Sequence, residues 1–206
     1  SNQIAIICSK FNLSANDIIK ISNQDYPRNT IPVPSPGVGG PCLTKDPYIL
    51  GNEIKSNNKN IFDIGRSINN KVVIKLINII KKNSKNYNEK ILLCGLSFKG
   101  YPETKDYRGS GTLMFLKKLK KYKLELYDPL FSSAEIEKLN IKPFKKINKS
   151  FSKIIILNNN KLFKTNSFQK NILKILKKDG EIYDYWNIFN NKLLKKNIKY
   201  FHMGEK

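Results

Sequence analysis

The sequence predicts an α/β protein in two blocks, an all-helical region followed by a doubly wound parallel sheet. Three observations predict it. Apolar residues recur at helical spacing on either side of one loop dense in proline and glycine. A polar, unpatterned stretch, Lys82–Lys90 (KNSKNYNEK), then marks a boundary. Beyond it short apolar runs alternate with amphipathic segments, the pattern of strands joined by crossover helices. The expected blocks are residues 1–84 and 88–206.

Ile4, Ile7 and Phe11 outline a first helix, SNQIAIICSKF, and Ile18, Ile19 and Ile21 a second, SANDIIKISNQ, with Ser14 placed as its cap. Between Pro27 and Leu50 lie six of the nine prolines and three of the eleven glycines. Proline fixes φ and glycine permits φ > 0, so this is a stiff, tightly turned loop. It carries Cys42, followed by Lys45 and Asp46. A thiol on such a loop is a placed nucleophile, with Lys45 positioned to lower its pKa and Asp46 to orient a water. Asn52–Asn83 then reads as one long helix on the spacing of Ile54, Ile61, Ile64, Ile68, Val72, Leu76, Ile79 and Ile80.

In the second block ILLCGL is a continuous apolar run, suited to a buried parallel strand. Helix TLMFLKKLKKY, strand KLELYDP, helix SSAEIEKL, strand SKIIILN, helix NSFQKNILKILKK and strand EIYDYW follow, then a last helix and a short strand to KYFHMG. Ligands of open α/β sheets bind beyond the carboxyl ends of the strands. There the loop Ser97–Gly111 holds Lys99, Lys105, Asp106, Arg108 and Ser110 and runs into a helix start, a plausible pyrophosphate clamp.

Composition narrows the classes. Hydrophobic residues at 40% and charged residues at 26% are ordinary for a globular protein, and no apolar run reaches membrane-spanning length. Cys8, Cys42 and Cys94 are too few and too scattered for a disulfide framework or a zinc knuckle, which fits a reducing cytoplasm. Lys+Arg 38 against Asp+Glu 16 gives a net charge of +22. The lysines are spread over every segment and the arginines number only Arg28, Arg66 and Arg108. Base and phosphate readout leans on arginine forks, so the charge argues compositional drift over specific nucleic-acid binding.

PGVGGPCLTKDPYIL resembles the catalytic-cysteine signature of the UDP-glucose/GDP-mannose dehydrogenase family, in particular its UDP-N-acetyl-hexosamine branch. GLSFKGYPETKDYRGSG is similar to the family's Gly-Leu-x-Phe-Lys … Asp-x-Arg-x-Ser segment, Tyr127-Asp128-Pro129 to its Tyr-Asp-Pro, and GRSINN (Gly65–Asn70) to its small-Arg-x-x-Asn segment. The chain departs from the family at Gln3, at Pro41, at Leu157–Asn160 (LNNN, where Thr-x-His is usual) and at Trp186, which replaces a substrate-reaching arginine. His202, the single histidine, is expected to be a surface or packing residue.

The resemblance implies a central helical region that dimerises and a Rossmann-like UDP-binding domain. It implies oxidation of the sugar CH2OH of a UDP-hexose or UDP-(N-acetyl)hexosamine to a carboxylate with NAD, for polysaccharide precursors. Cys42 would form a thioester that water, held by Asp46, hydrolyses. Gly39, Gly40, Lys45, Tyr48, Lys99 and Arg108 would contact substrate. No Gly-x-Gly-x-x-Gly follows a strand, so NAD is expected to bind a domain preceding Ser1. The implied partners are the UDP-sugar and a second copy of the chain, with no nucleic acid and no membrane. A catalytically silent nucleotide-sugar-binding module is the second reading, and a polyanion-binding protein the third.

Overall fold

In a computed structural model the described residues are 1–53, 60–145 and 150–204. Two short helices open the chain, α1 (Asn2–Phe11) and α2 (Ala15–Asn23). Asn12 ends α1 in the left-handed conformation at φ 57°, where asparagine is tolerated, and Ser14 caps α2 by accepting from Asp17 N–H at 3.3 Å. The proline-rich loop follows and turns into α3 (Asp46–Glu53). Helix α4 spans Ile61–Lys82.

The single helix expected over Asn52–Asn83 is thus corrected. Asn60 caps α4 by accepting from Asp63 N–H at 3.0 Å, and its Nδ2 also donates to Gly51 O at 3.2 Å, so one residue starts one helix and fastens the other. Ile54 lies outside the described residues. Val72, Val73, Leu76, Ile77 and Ile80 form the buried stripe of α4, while Ile61 and Ile64 are exposed.

Six parallel strands follow: β1 (Lys90–Cys94), β2 (Lys123–Tyr127), β3 (Lys142–Pro143), β4 (Phe151–Ile156), β5 (Leu176–Asp184) and β6 (Lys199–His202). They lie in the order β3-β2-β1-β4-β5-β6. Helices α5 (Gly111–Leu119), α6 (Ser133–Glu137) and α7 (Asn166–Ile175) occupy three of the connections. The pattern taken as helix through Lys178 stops at Ile175, because Leu176 pairs with Phe151 and enters the sheet. The last helix is one 3-10 turn, Asn191–Leu193. β3, not expected at all, is a two-residue edge strand whose proline faces no further partner.

Residues alternate between the two faces of the sheet. Ile91, Leu93 and Tyr183 pack with α1, α4 and α5, whereas Leu92, Cys94, Ile154, Ile156 and Ile182 pack with Phe163 and α7. At the carboxyl ends Tyr127, Cys94, Ile156, Asp184 and His202 stand in one register row. The strand order reverses between β1 and β4, which marks the crevice where such sheets receive ligands.

Candidate functional site

The turn leaving β1 is built by a buried carboxylate. Asp128, at the end of β2, accepts through Oδ2 from Leu96 N–H at 2.7 Å, Ser97 N–H at 3.0 Å, Ser97 Oγ–H at 3.2 Å and Asn158 Nδ2 at 3.2 Å. Asn159 Oδ1 accepts from the N–H groups of Gly100 and Tyr101, both at 3.0 Å. Gly100 approaches so closely that a Cβ there would lie 2.1 Å from Asn160 N. The residues at the crevice between β1 and β4 therefore shape the loop Ser97–Gly111. Thr112 anchors its far end by donating to Gly95 O at 2.7 Å.

Against this loop lies the cysteine loop. Gly40 N–H donates to Arg108 O at 3.1 Å. A Cβ on Gly39 would meet Gly109 O at 2.3 Å, one on Gly40 would touch the Phe98 ring at 3.1 Å, and one on Gly109 would meet Thr44 Cγ2 at 2.4 Å. These glycines are required by close approach, and Gly40 and Gly109 also by φ of +97° and +65°. Thr44 Oγ1 donates to Gly40 O at 2.8 Å and closes the turn. Cys42 is exposed on that turn, and its carbonyl accepts from Asp46 N–H at 2.9 Å, at the start of α3. Between α4 and the start of α5 the two loops leave a cleft of about 330 Å³, lined by Val38, Thr44, Arg66, Gly109, Ser110 and Lys117 among others.

The structure thus gathers Cys42, Gly39, Gly40 and Arg108 at one junction. Lys45 and Asp46 sit beside it and form an exposed ion pair with each other, and that pairing raises the pKa of Lys45. Arg108 is held by a bidentate pair, Nε to Asp106 Oδ1 at 3.1 Å and Nη2 to Oδ2 at 2.7 Å. The guanidinium keeps the Asp106 carboxyl below its usual range, and Asp106 raises the guanidinium in turn. Arg108 is thereby fixed as an exposed guanidinium whose Nε–Nη2 edge is already engaged by Asp106. Lys99 is half-buried with its Nζ 5.8 Å from the Phe98 ring centroid. Tyr48 is exposed on α3. Lys105 turns away to Glu135 at 2.6 Å.

The other two thiols, Cys8 and Cys94, are buried, and burial pushes the Cys94 thiol far above its usual range. Trp186, the departure at the end of β5, is half-buried and donates from Nε1 to Leu157 O at 3.0 Å, so it closes the end of the neighbouring strand. Asp128 and Asn158–Asn160 were not expected to organise the site. The Tyr-Asp-Pro at the end of β2 and the LNNN at the end of β4 were the only signals for them.

Comparison with known proteins matches residues 1–71 to the central domain of the UDP-glucose/GDP-mannose dehydrogenase family and residues 92–191 to its UDP binding domain. The chain belongs to this family. It is similar to the UDP-N-acetyl-D-mannosamine dehydrogenase of Methanococcus vannielii, with 32% identity over 95% of this chain and 45% of that protein. Among solved structures it resembles the UDP-D-ManNAc dehydrogenase of Pyrococcus horikoshii, at 25% identity and a TM-score of 0.80 over 98% of this chain and 47% of that one. The Staphylococcus aureus UDP-N-acetyl-mannosamine dehydrogenase aligns at 25% identity and a TM-score of 0.73, covering 99% and 46%. The chain spans about half the length of these relatives. Among the described residues no helix is long and apolar enough to cross a membrane, and no group of three or more His, Cys, Asp or Glu side chains is placed to hold a metal ion.

Proposed function

We propose that this chain supplies the nucleophile and the nucleotide-diphosphate half-site of a cytoplasmic, NAD-dependent UDP-sugar dehydrogenase. That enzyme oxidises the sugar CH2OH of a UDP-(N-acetyl)hexosamine or UDP-hexose to a carboxylate for polysaccharide precursors. The observation that carries this reading is the junction of the two loops. Gly40 N–H bonded to Arg108 O joins the exposed Cys42 turn to the loop that carries the Asp106-paired guanidinium and leaves the carboxyl end of β1.

Within that arrangement Arg108 and Lys99 hold the diphosphate, and Gly39 and Gly40 let substrate approach the backbone. Cys42 adds to the aldehyde carbon to give a thiohemiacetal; hydride loss to NAD, when bound, makes this a thioester, and water adding to the thioester releases the carboxylate and returns the thiol. Asp46, held in place by Lys45, orients that water, and Tyr48 borders the sugar. The nicotinamide chemistry belongs to NAD. No Gly-x-Gly-x-x-Gly of this chain follows a strand, so its residues offer no dinucleotide cradle that fits that cofactor. A homodimer through the helices of residues 1–84 completes the proposal, with a second copy covering apolar residues such as Phe11, Ile21 and Ile61, exposed by 68%, 69% and 76%.

Calorimetric titration with UDP and with GDP tests the half-site. The expected result is saturable UDP binding that weakens about tenfold or more in Arg108→Ala, the scale of a lost charge-assisted pair. Trp186 favours one competing reading, because its indole closes a strand end and supplies no charged fork. A catalytically silent nucleotide-sugar-binding module would bind UDP yet show no UDP-sugar protection of Cys42 against alkylation. No binding of either nucleotide would overturn the half-site itself.

A further inference from the structure

Of the three cations on the loop Ser97–Gly111, two are already engaged. Lys105 pairs with Glu135 at 2.6 Å and Arg108 with Asp106 at 2.7 Å. Lys99 has no carboxylate partner among the described residues. Its ammonium lies 5.8 Å from the centroid of the Phe98 ring. That ring also faces the cysteine loop, 3.1 Å from where a Cβ on Gly40 would stand. Lys99 is therefore the cation of this loop left open to an incoming anion, beside the junction of the two loops. An ammonium on a flexible four-carbon stem loses freedom when it meets its anion, and loses less if its backbone is already fixed.

The chain is held on both sides of Lys99. Upstream, Ser97 N–H is bound by Asp128, and Phe98 N–H donates to Asp106 O at 2.9 Å. Downstream, the N–H groups of Gly100 and Tyr101 converge on one oxygen, Asn159 Oδ1, each at 3.0 Å. Gly100 lies tight against the same turn, since a Cβ there would stand 2.1 Å from Asn160 N and 2.7 Å from Asn159 C. The cysteine loop has its own hold on α4, where Asn69 Oδ1 accepts from Val38 N–H at 2.6 Å, and Arg108 is held by Asp106. We propose that Asn159 is a positioning residue for Lys99, fixing the Lys99–Gly100 peptide so that the ammonium is ordered before a diphosphate arrives. That a diphosphate is what Lys99 meets rests on the half-site proposed above, whereas the hold itself can be read without any ligand.

The first readout is the rate at which trace acetic anhydride acetylates half-buried Lys99, measured by peptide mass against exposed Lys123. Asn159→Ala is expected to raise that relative rate about threefold as the stem gains freedom. Gly100→Ala, whose Cβ pushes the loop off the turn while leaving Asn159 in place, is expected to do the same. The second readout is UDP affinity by calorimetry. Asn159→Ala is expected to weaken it about fivefold, the cost of ordering one long side chain on binding. In a Lys99→Ala background it is expected to cause no further loss, and in an Arg108→Ala background the full loss again. Asn83→Ala is the control. It takes a hydrogen bond from the buried Tyr183 hydroxyl at the C-terminal end of α4, and is expected to lower the melting temperature and leave both readouts unmoved.

Unchanged acetylation of Lys99 in folded Asn159→Ala would overturn the proposal. So would an equal rise in Asn83→Ala, or a loss of UDP affinity that persists in the Lys99→Ala background. Failure of the half-site looks different: wild type would bind no UDP, while Asn159→Ala would still speed the acetylation of Lys99.

Discussion

Asp128 shows how much of this site hangs on single side chains. It is buried, and one of its oxygens receives four donors from the β1 turn and from Asn158, while the other accepts from Leu130 N–H at 2.9 Å. Asp128→Ala is expected to cost about 3 kcal/mol, because it strands several buried donors at once. A denaturant titration checks it, and a loss under about 1 kcal/mol would mean that the turn is held by the strand pairing instead. The sequence marked this position only through the resemblance of Tyr127-Asp128-Pro129 to a Tyr-Asp-Pro segment. Cys42 and Arg108 were legible because each is chemically distinctive and sits in an ordered motif. Asn69 and Asn159 were marked only as members of motifs, the Arg-x-x-Asn of GRSINN and the LNNN at the end of β4, and neither motif names what the side chain holds. Their partners lie 31 and 59 residues away in sequence, respectively, and only the fold brings them together.

Among the elements, the helices with a buried stripe and a cap were readable, and the misplaced boundaries were those decided by tertiary pairing. The helical spacing running through residues 52–83 hid a break that Asn60 makes by capping forward and fastening backward. Lys177 and Lys178 continue a helical pattern, yet Leu176 pairs with Phe151, and sheet pairing overrides local periodicity. Helix α6 is too short to persist on its own and depends on its capping box, in which Glu135 N–H donates to Ser132 Oγ and the Glu135 carboxylate accepts from Ser132 N–H. The same carboxylate takes Lys105 at 2.6 Å, tying the loop Ser97–Gly111 to α6. Lys105 first, and the Ser132 bonds after it, hold the Glu135 pKa down at about 2 against an ordinary 4.5. A carboxyl depressed in the folded state adds stability above its unfolded pKa and loses it as pH falls through the folded value. Glu135→Gln is therefore expected to melt below wild type at neutral pH, with the gap closing between pH 4.5 and about 2. Equal gaps at pH 7 and pH 3 in calorimetric melts would show that the carboxylate charge contributes nothing.

For the whole molecule, the α/β class and the parallel sheet were legible because a strand–helix alternation admits few topologies. The packing of α1 and α4 onto the same sheet face as α5 was not, since periodicity says which residues are buried and not against what. The charge of +22 and the exposed apolar residues of the helical region pull in opposite directions. Like charges oppose association of two copies, while covering Phe11, Ile21 and Ile61 favours it. Salt screens the first and leaves the second, with a Debye length of about 30 Å at 0.01 M falling to about 8 Å at 0.15 M. The dimer fraction in sedimentation velocity is therefore expected to rise between those two salt concentrations. Scattered lysines make the opposite prediction for polyanions, since every phosphate contact releases counterions and weakens as salt rises. A short duplex DNA in the same cell is expected to co-sediment at the lower concentration and to separate by about 0.2 M. A monomer throughout would remove the dimer. DNA that stays bound at the higher salt would make the charge a binding surface, and would bring back the polyanion reading that the dispersed lysines argue against.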